Sequence, residues 1–348
     1  MVVAYPVGRN AARLPARNIA GIGDGGASLS LDFTLGYLSP LITFTRGSTG
    51  TYVNSSGLIA TASTNVARFE YNPVTLAPVG VLIEDSKSNV CQQSETFDNA
   101  TWTKTSSTVS ADATTAPDGN VTADKIVEAA ATASHLVVQA RTVTTGNTYC
   151  FSVWLKAAER SFAFITLSGA GFSSVEAGIS VNLSTGAVST AVGSPVNSGT
   201  QTFPNGWYRV WFTYAATASS ASNLNIYASA DGVWANVSYA GDNTKGIYVW
   251  GAQMETQQFP SSYIATTTAT VTRSVDIADI TTLTPWYNTT VGTLFTQTYR
   301  LWPSVAAGTC GLASFNDNTA SNRIYAQFQS STSIRSQVTT GGGNAIAV

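Results

Sequence analysis

The chain is short of charge. Only 10% of its 348 residues are Asp, Glu, Lys or Arg, against roughly a quarter in an ordinary soluble domain. Helix surfaces are normally built from Glu, Lys, Arg and Gln, so the scarcity argues against a helical protein. The 17 basic residues form no cluster and the net charge is −2, which leaves no electrostatic footprint for nucleic acid or an anionic membrane. Hydrophobic residues make up 44% of the chain, yet no run approaches membrane-spanning length. The opening stretch MVVAYPVGRNAARLPARN lacks an apolar core of signal-peptide length, so secretion by that route is not indicated. There is one histidine, His135, which excludes multi-histidine zinc sites and makes any Ser-His-Asp triad depend on a single residue. Its place at the head of HLVVQA predicts a surface or strand-end position. The three cysteines, Cys91, Cys150 and Cys310, are odd in number and far apart. They read as buried free thiols rather than disulfides.

What is present is Ser, Thr, Asn and Gly around short runs of β-branched and aromatic residues, the composition of twisted sheets with glycine turns. The expected class is all-β. Residues 1–30, broken by Pro6, Pro15 and the glycines Gly21, Gly23, Gly25 and Gly26 and punctuated by Arg9, Arg13 and Arg17, read as an extended arm that cannot bury a core alone. Residues 31–92 carry brief strand signals (LITFTR, GTYVN, GLIAT, ARFEY, VGVLIE) separated by turns at Asn54–Gly57 and Asn72–Pro73, a small β unit. From 93 to 266 the strands lengthen (HLVVQARTV, TYCFSVWLKA, WYRVWFTYAA, GIYVWGAQME) and recur at the spacing of a two-sheet jelly roll. The stretch TADKIVEAAATA reads equally as a helix or as strand then loop. Residues 267–348 read as a linker and the start of a further β-sandwich, with too few strands to close it.

Most chemical motifs have a plain structural reading. Gly21, Gly23 and Gly26 match G-x-G-x-x-G, but no strand precedes them and a strand-like SLSLDF follows where a helix is needed, so they read as a hinge. Glu84 with Asp85, and Glu95 with Asp98, are the nearest carboxylate groupings. Structural hydrogen bonding or a bound calcium accounts for them as well as a glycosidase pair does. The aromatics carry more information. Alternation puts Trp207, Arg209 and Trp211 on one face of their strand and Tyr208, Val210, Phe212 and Tyr214 on the other, and sets Trp154 and Lys156 against Phe151, Val153 and Leu155. The second group in each strand is the natural core face. Two readings of the first remain open: Trp154, Trp207 and Trp211 stack on sugar rings with Arg209 as a cationic donor, or loops or a neighbouring subunit cover them.

FTRGSTGTYVNSSGLIATASTNVARFEYNPVTLAPVGVLIEDSKSN (Phe44 to Asn89), TADKI, FSVWLKA, GWYRVW and VWGAQMETQQFPSSYIATTTATVTRSVD together resemble recurrent modules of tailed-bacteriophage virion proteins. These are fibre, spike or head-decoration chains with carbohydrate-binding-module-like jelly rolls, and the resemblance spans about Phe44 to Asp276. The last unit resembles a laminin-G or legume-lectin-like sandwich. What this implies is a structural role in the virion. The arginine-bearing arm ahead of serial β modules adds the expectation that Arg9, Arg13 and Arg17 dock it on capsid or tail proteins, the outer aromatic face that of a contact with host cell-surface glycan, and the carboxylate groupings give no expectation of an enzyme. The low-charge, aromatic-rich surface adds an expectation of self-association, and the resemblance to phage fibres implies a homotrimer. No cofactor is expected beyond a structural calcium ion. The rival reading is a tail-spike polysaccharide depolymerase with its catalytic part outside this chain. On either reading IYVWGAQME is the last jelly-roll strand, Pro260 ends it, and YIATTTATVTRSVD is an extended bridge to the next module.

Overall fold

The computed structural model describes residues 29–172 and 176–283, and the backbone of four further strands between 310 and 347. It is all-β, with only brief 3-10 turns for helix. The small N-terminal unit has six short strands: β1 (Thr43–Thr45), β2 (Gly50–Val53), β3 (Ile59–Ala62), β4 (Phe69–Tyr71), β5 (Pro78–Val81) and β6 (Lys87–Asn89). β2 pairs with β3 and β4 with β5. Asn54 and Asn72 fix the two intervening turns by accepting main-chain N–H bonds on their side-chain oxygens.

The sandwich follows with β7 (Thr103–Thr105), β8 (Ser107–Thr115), β9 (Val121–Glu128), β10 (Thr132–Ala133), β11 (His135–Val143), β12 (Thr148–Ala157), β13 (Phe162–Ser168), β14 (Ala177–Asn182), β15 (Val188–Val192), β16 (Asn197–Thr202), β17 (Trp207–Ala215), β18 (Ser220–Ser229), β19 (Tyr239–Ala240) and β20 (Gly246–Thr256). The ambiguous TADKIVE segment is therefore strand β9. One six-stranded sheet runs β15-β14-β13-β18-β11-β7 and the other β16-β17-β12-β20-β9-β8, with β10 and β19 a separate ribbon. Between the sheets lie Val137, Phe151, Val153, Leu155, Ile165, Leu167, Ile179, Val210, Phe212, Leu224, Ile226 and Val249. Every one is the inward member of a period-two alternation. Cys91 and Cys150 are buried free thiols, and burial pushes both thiols well above the ordinary range.

Strand β20 breaks its own alternation. Strict period two groups Tyr248, Trp250, Ala252 and Met254 on one side, yet Ala252 and Met254 are in the inter-sheet core while Trp250 belongs to a separate cluster on the outer face. The cause is a bulge: the register against β12 slips between Ser152 and Trp154, and Gly251 takes a left-handed conformation at φ 65°. One extra residue turns everything after it to the opposite face.

The Thr-rich tail of the sandwich is not the bridge that its sequence suggests. After Pro260 the chain lies back along residues 91–94: the N–H groups of Gln93 and Ser94 donate to the carbonyls of Thr267 and Thr266, and the Thr266 hydroxyl donates to the Cys91 carbonyl at 2.7 Å. It then supplies β21 (Val271–Arg273) to β6 and β22 (Ile277–Asp279) to β1. The N-terminal unit borrows these strands because its own are too short to satisfy their edges. Beyond it, β23 (Cys310–Asn316), β24 (Arg323–Phe328), β25 (Ile334–Thr340) and β26 (Gly343–Ala347) form one antiparallel sheet in sequential order.

Candidate functional site

The aromatic strands separate their faces as alternation requires, and the face away from the core carries the tryptophans Trp154, Trp207 and Trp250. Cross-strand pairing aligns Arg209, Trp154 and Trp250 on β17, β12 and β20. Two residues further along, Trp207, Lys156, Tyr248, Lys125 and Ser110 line up across β17, β12, β20, β9 and β8.

The first of these rows, with Trp207 of the second and the neighbouring Trp211, is closed to solvent. Trp154, Trp207, Arg209 and Trp211 are 1%, 1%, 4% and 3% exposed, so the expected sugar-stacking platform at these four residues is not a surface. The cover comes from the chain itself. Val53 and Ile59 of the N-terminal unit join Phe203 and Tyr263 in a cluster with Trp154, Trp207 and Trp250, in which the Trp154 ring meets Phe203, Trp250 and Tyr263 edge-on at 5.4–5.7 Å. Arg209 donates to the Ser261 carbonyl at 2.7 Å and to the Ser152 hydroxyl at 3.2 Å. Its guanidinium carbon lies 4.4 Å from the Trp154 ring centre. Trp207 donates its indole N–H to the Thr115 carbonyl. These aromatics hold two parts of the fold together, which is the alternative reading of amphipathic aromatics at an interface.

Beside this cluster sits a buried charge network that sequence reasoning missed. Asp276 accepts from Arg46 at 3.1 Å, from Arg68 through a very short contact, and from the Glu84 main-chain N–H at 2.9 Å. Glu84 accepts from Arg68 at 2.8 Å and lies 3.5 Å from Arg273. Burial pushes the Glu84 carboxyl up, but Arg68, Arg273 and the hydrogen bonds from Ser262 outweigh it and hold the group at about 2. Three guanidiniums thus share two carboxylates. The surplus positive charge faces backbone carbonyls: Arg46 donates to Ser48, Ala62 and Ser63, Arg68 to Thr51, and Arg273 to Asp85. Nearby Glu70 has one main-chain partner, the Val53 N–H at 2.9 Å, and burial raises its carboxyl to about 8 despite that bond. A signal for the network was present: in a chain so poor in charge, FTRGST, ARFEY and TRSVD place arginine inside strand-like segments, where an ion must be paired.

The remaining singled-out groups have structural partners. His135 begins β11 but is buried, not at the surface; its ring nitrogens lie 2.6 Å from the Ser106 carbonyl and 3.3 Å from that of Tyr239. Glu95 accepts from the Tyr263 hydroxyl at 2.9 Å, while Lys104 is held by the carbonyls of Asp98 and Asn99. Among the described residues, no group of three or more His, Cys, Asp or Glu is arranged around a common point for a metal. Arg9, Arg13 and Arg17, the glycines of GIGDGG, and the Cys310 side chain lie outside the described residues.

No protein-family model and no curated protein sequence matches the chain. Among solved structures, it is similar to the CBM22-1–GH10 modules of Clostridium thermocellum xylanase 10B, crystallised with xylohexaose, at 14% identity and a TM-score of 0.30, over 52% of this chain and 30% of that one. It is also similar to the enzymatically active domain of bacteriophage CBA120 tailspike protein 4, at 12% identity and a TM-score of 0.28, over 48% of this chain and 21% of that one. At scores this low, neither likeness speaks to activity or ligand.

Proposed function

We propose that this chain is a structural, non-enzymatic component of a bacteriophage virion, of fibre or decoration type, which holds a β-sandwich out from the particle for contact with host-surface glycan. The observation that carries this reading is the pairing of β1 with β22, Thr43 opposite Asp279 and Thr45 opposite Ile277. These two antiparallel strands lie near the two ends of the described body, β1 following a first turn whose Phe33 is already buried against Val81, and Arg46 and Asp276 clamp them together from within. A body whose first and last strands pair in this way gathers its two ends at one place. That suits display better than turnover. The resemblance of Phe44–Asp276 to phage virion modules supports the same reading, as does the engagement of the singled-out carboxylates Glu84 and Glu95 in internal bonds.

On this proposal residues 1–30 anchor the chain to capsid or tail protein through Arg9, Arg13 and Arg17, and the protein is a homotrimer. Deletion of residues 1–30 should abolish incorporation into particles while the remainder stays folded; normal incorporation rejects the anchor. Light scattering of the intact chain at micromolar concentration should give three times the monomer mass. Release of reducing ends from host capsule by the purified chain would replace this reading with that of a depolymerase.

A further inference from the structure

Burial of Trp154, Trp207 and Arg209 leaves one stretch of the same sheet face open. It is the row Lys156–Tyr248–Lys125, three half-buried side chains on neighbouring strands pointing away from the core. Lys156 is unusual within it. Its ammonium lies 5.9 Å from the ring centres of both Trp207 and Tyr248 and, among the described residues, has no anionic or carbonyl partner. Among the described residues every other lysine and arginine has a hydrogen bond or an ion pair; Lys125, for example, pairs with Glu159 at 2.7 Å. An ammonium held only by π faces has no strong acceptor of its own and can take up an incoming anion.

We propose that the Lys156–Tyr248–Lys125 row is a subsite for a carboxylate-bearing sugar. This deepens the glycan contact of the preceding reading and rests on it. Three features point to that ligand class. Adjacent strands are about 4.8 Å apart, which sets the two lysine backbones about 10 Å apart with the tyrosine between them, room for one pyranose ring over Tyr248. Amphipathic aromatics such as Tyr248 present an apolar ring to the C–H face of a sugar and a hydroxyl to its polar edge. The charge is local: on a chain of net charge −2, this row places a partnerless ammonium and a second lysine beside one ring. In the bound state Lys156 pairs with the sugar carboxylate, while the half-buried Lys125 and its more exposed partner Glu159 at the rim offer a donor and an acceptor to ring hydroxyls. A long polyanion such as nucleic acid needs a track of cations, and the row has two.

The test is calorimetric titration of the full chain with hexagalacturonate, with the carboxyl-reduced hexamer and with poly-glutamate of similar charge. Wild type should bind hexagalacturonate weakly and the reduced hexamer less well. Lys156→Gln should weaken binding roughly threefold to fivefold, and Lys156→Arg should restore it. Tyr248→Leu, with its circular dichroism and melting curve checked against wild type, should weaken the sugar without changing any residual poly-glutamate contact. No binding of hexagalacturonate by wild type overturns the subsite, as does a Lys156→Gln variant that binds equally well or poly-glutamate that binds as tightly as the sugar acid. Particle incorporation is scored separately, so a chain that assembles but ignores sugar acids defeats this inference and leaves the virion reading standing.

Discussion

Replacing Asp276 by Asn tests whether the buried charge network joins the two ends of the folded body. The Asp276 side chain is fully buried, as are those of Arg46 and Arg68, so no water takes over its role when its charge is removed. The amide keeps one oxygen for a guanidinium but turns an N–H₂ toward the other, leaving three buried arginines with Glu84 as their only carboxylate. Removing one partner of a buried ion pair costs about 3–5 kcal/mol, chiefly because the other charge is left uncompensated. Against a total stability of roughly 5–15 kcal/mol for a domain, that is a large share. It corresponds to a fall in Tm of about 10 °C for a body of this size. The assay is urea unfolding of the full chain followed by tryptophan fluorescence, since Trp154 and Trp250 lie in the adjacent cluster. Asp276→Leu combined with Arg68→Met should lose less than the sum of the two single changes, because the second change takes away one of the guanidiniums that the first leaves uncompensated. A loss below about 1 kcal/mol for Asp276→Asn, or strict additivity in the double variant, would refute the assignment of the network as the clamp.

Other outcomes follow from single side chains. Glu70 keeps its proton in the folded state up to about 8, whereas the unfolded chain releases it near 4.5. Its contribution is therefore complete below the lower value and lost as pH rises toward the upper, by up to several kcal/mol; Glu70→Gln should flatten this loss in melts between pH 5 and 9. Glu84, held at about 2, acts in the opposite sense: its stabilisation is present above the unfolded value and lost in acid, so Glu84→Gln should blunt acid unfolding. Gly251→Ala should destabilise by about 1–3 kcal/mol, since the added Cβ falls 2.8 Å from the Trp154 ring in a left-handed backbone. Trp154→Ala should cost about 3–5 kcal/mol and Lys156→Gln under about 0.5, a contrast readable in one set of urea curves.

Local sequence determined which side chains share a face. Alternation along WYRVWFTYA and TYCFSVWLKA separates Val210, Phe212, Val153 and Leu155 from Trp211, Arg209, Trp154 and Lys156, and the structure keeps that division, because neighbours at i and i+2 are covalently bound to point the same way. The all-β class and the burial of Cys91 and Cys150 were legible for the same reason, being properties of composition and short runs. Alternation could not say which outer face would stay open. That depended on where segments remote in sequence came to rest: Val53 and Ile59 over Trp154 and Trp207, the strand 271–273 beside 87–89, and Asp276 against Arg46 across 230 residues of chain. Nor could it foresee that one glycine in GIYVWGAQME would turn Ala252 and Met254 inward, since a bulge shows itself only against the strand it slips past. Face and strand are written in the spacing of neighbours, whereas cover, register and the partnering of buried charge are settled by contacts the chain makes only once it has closed on itself.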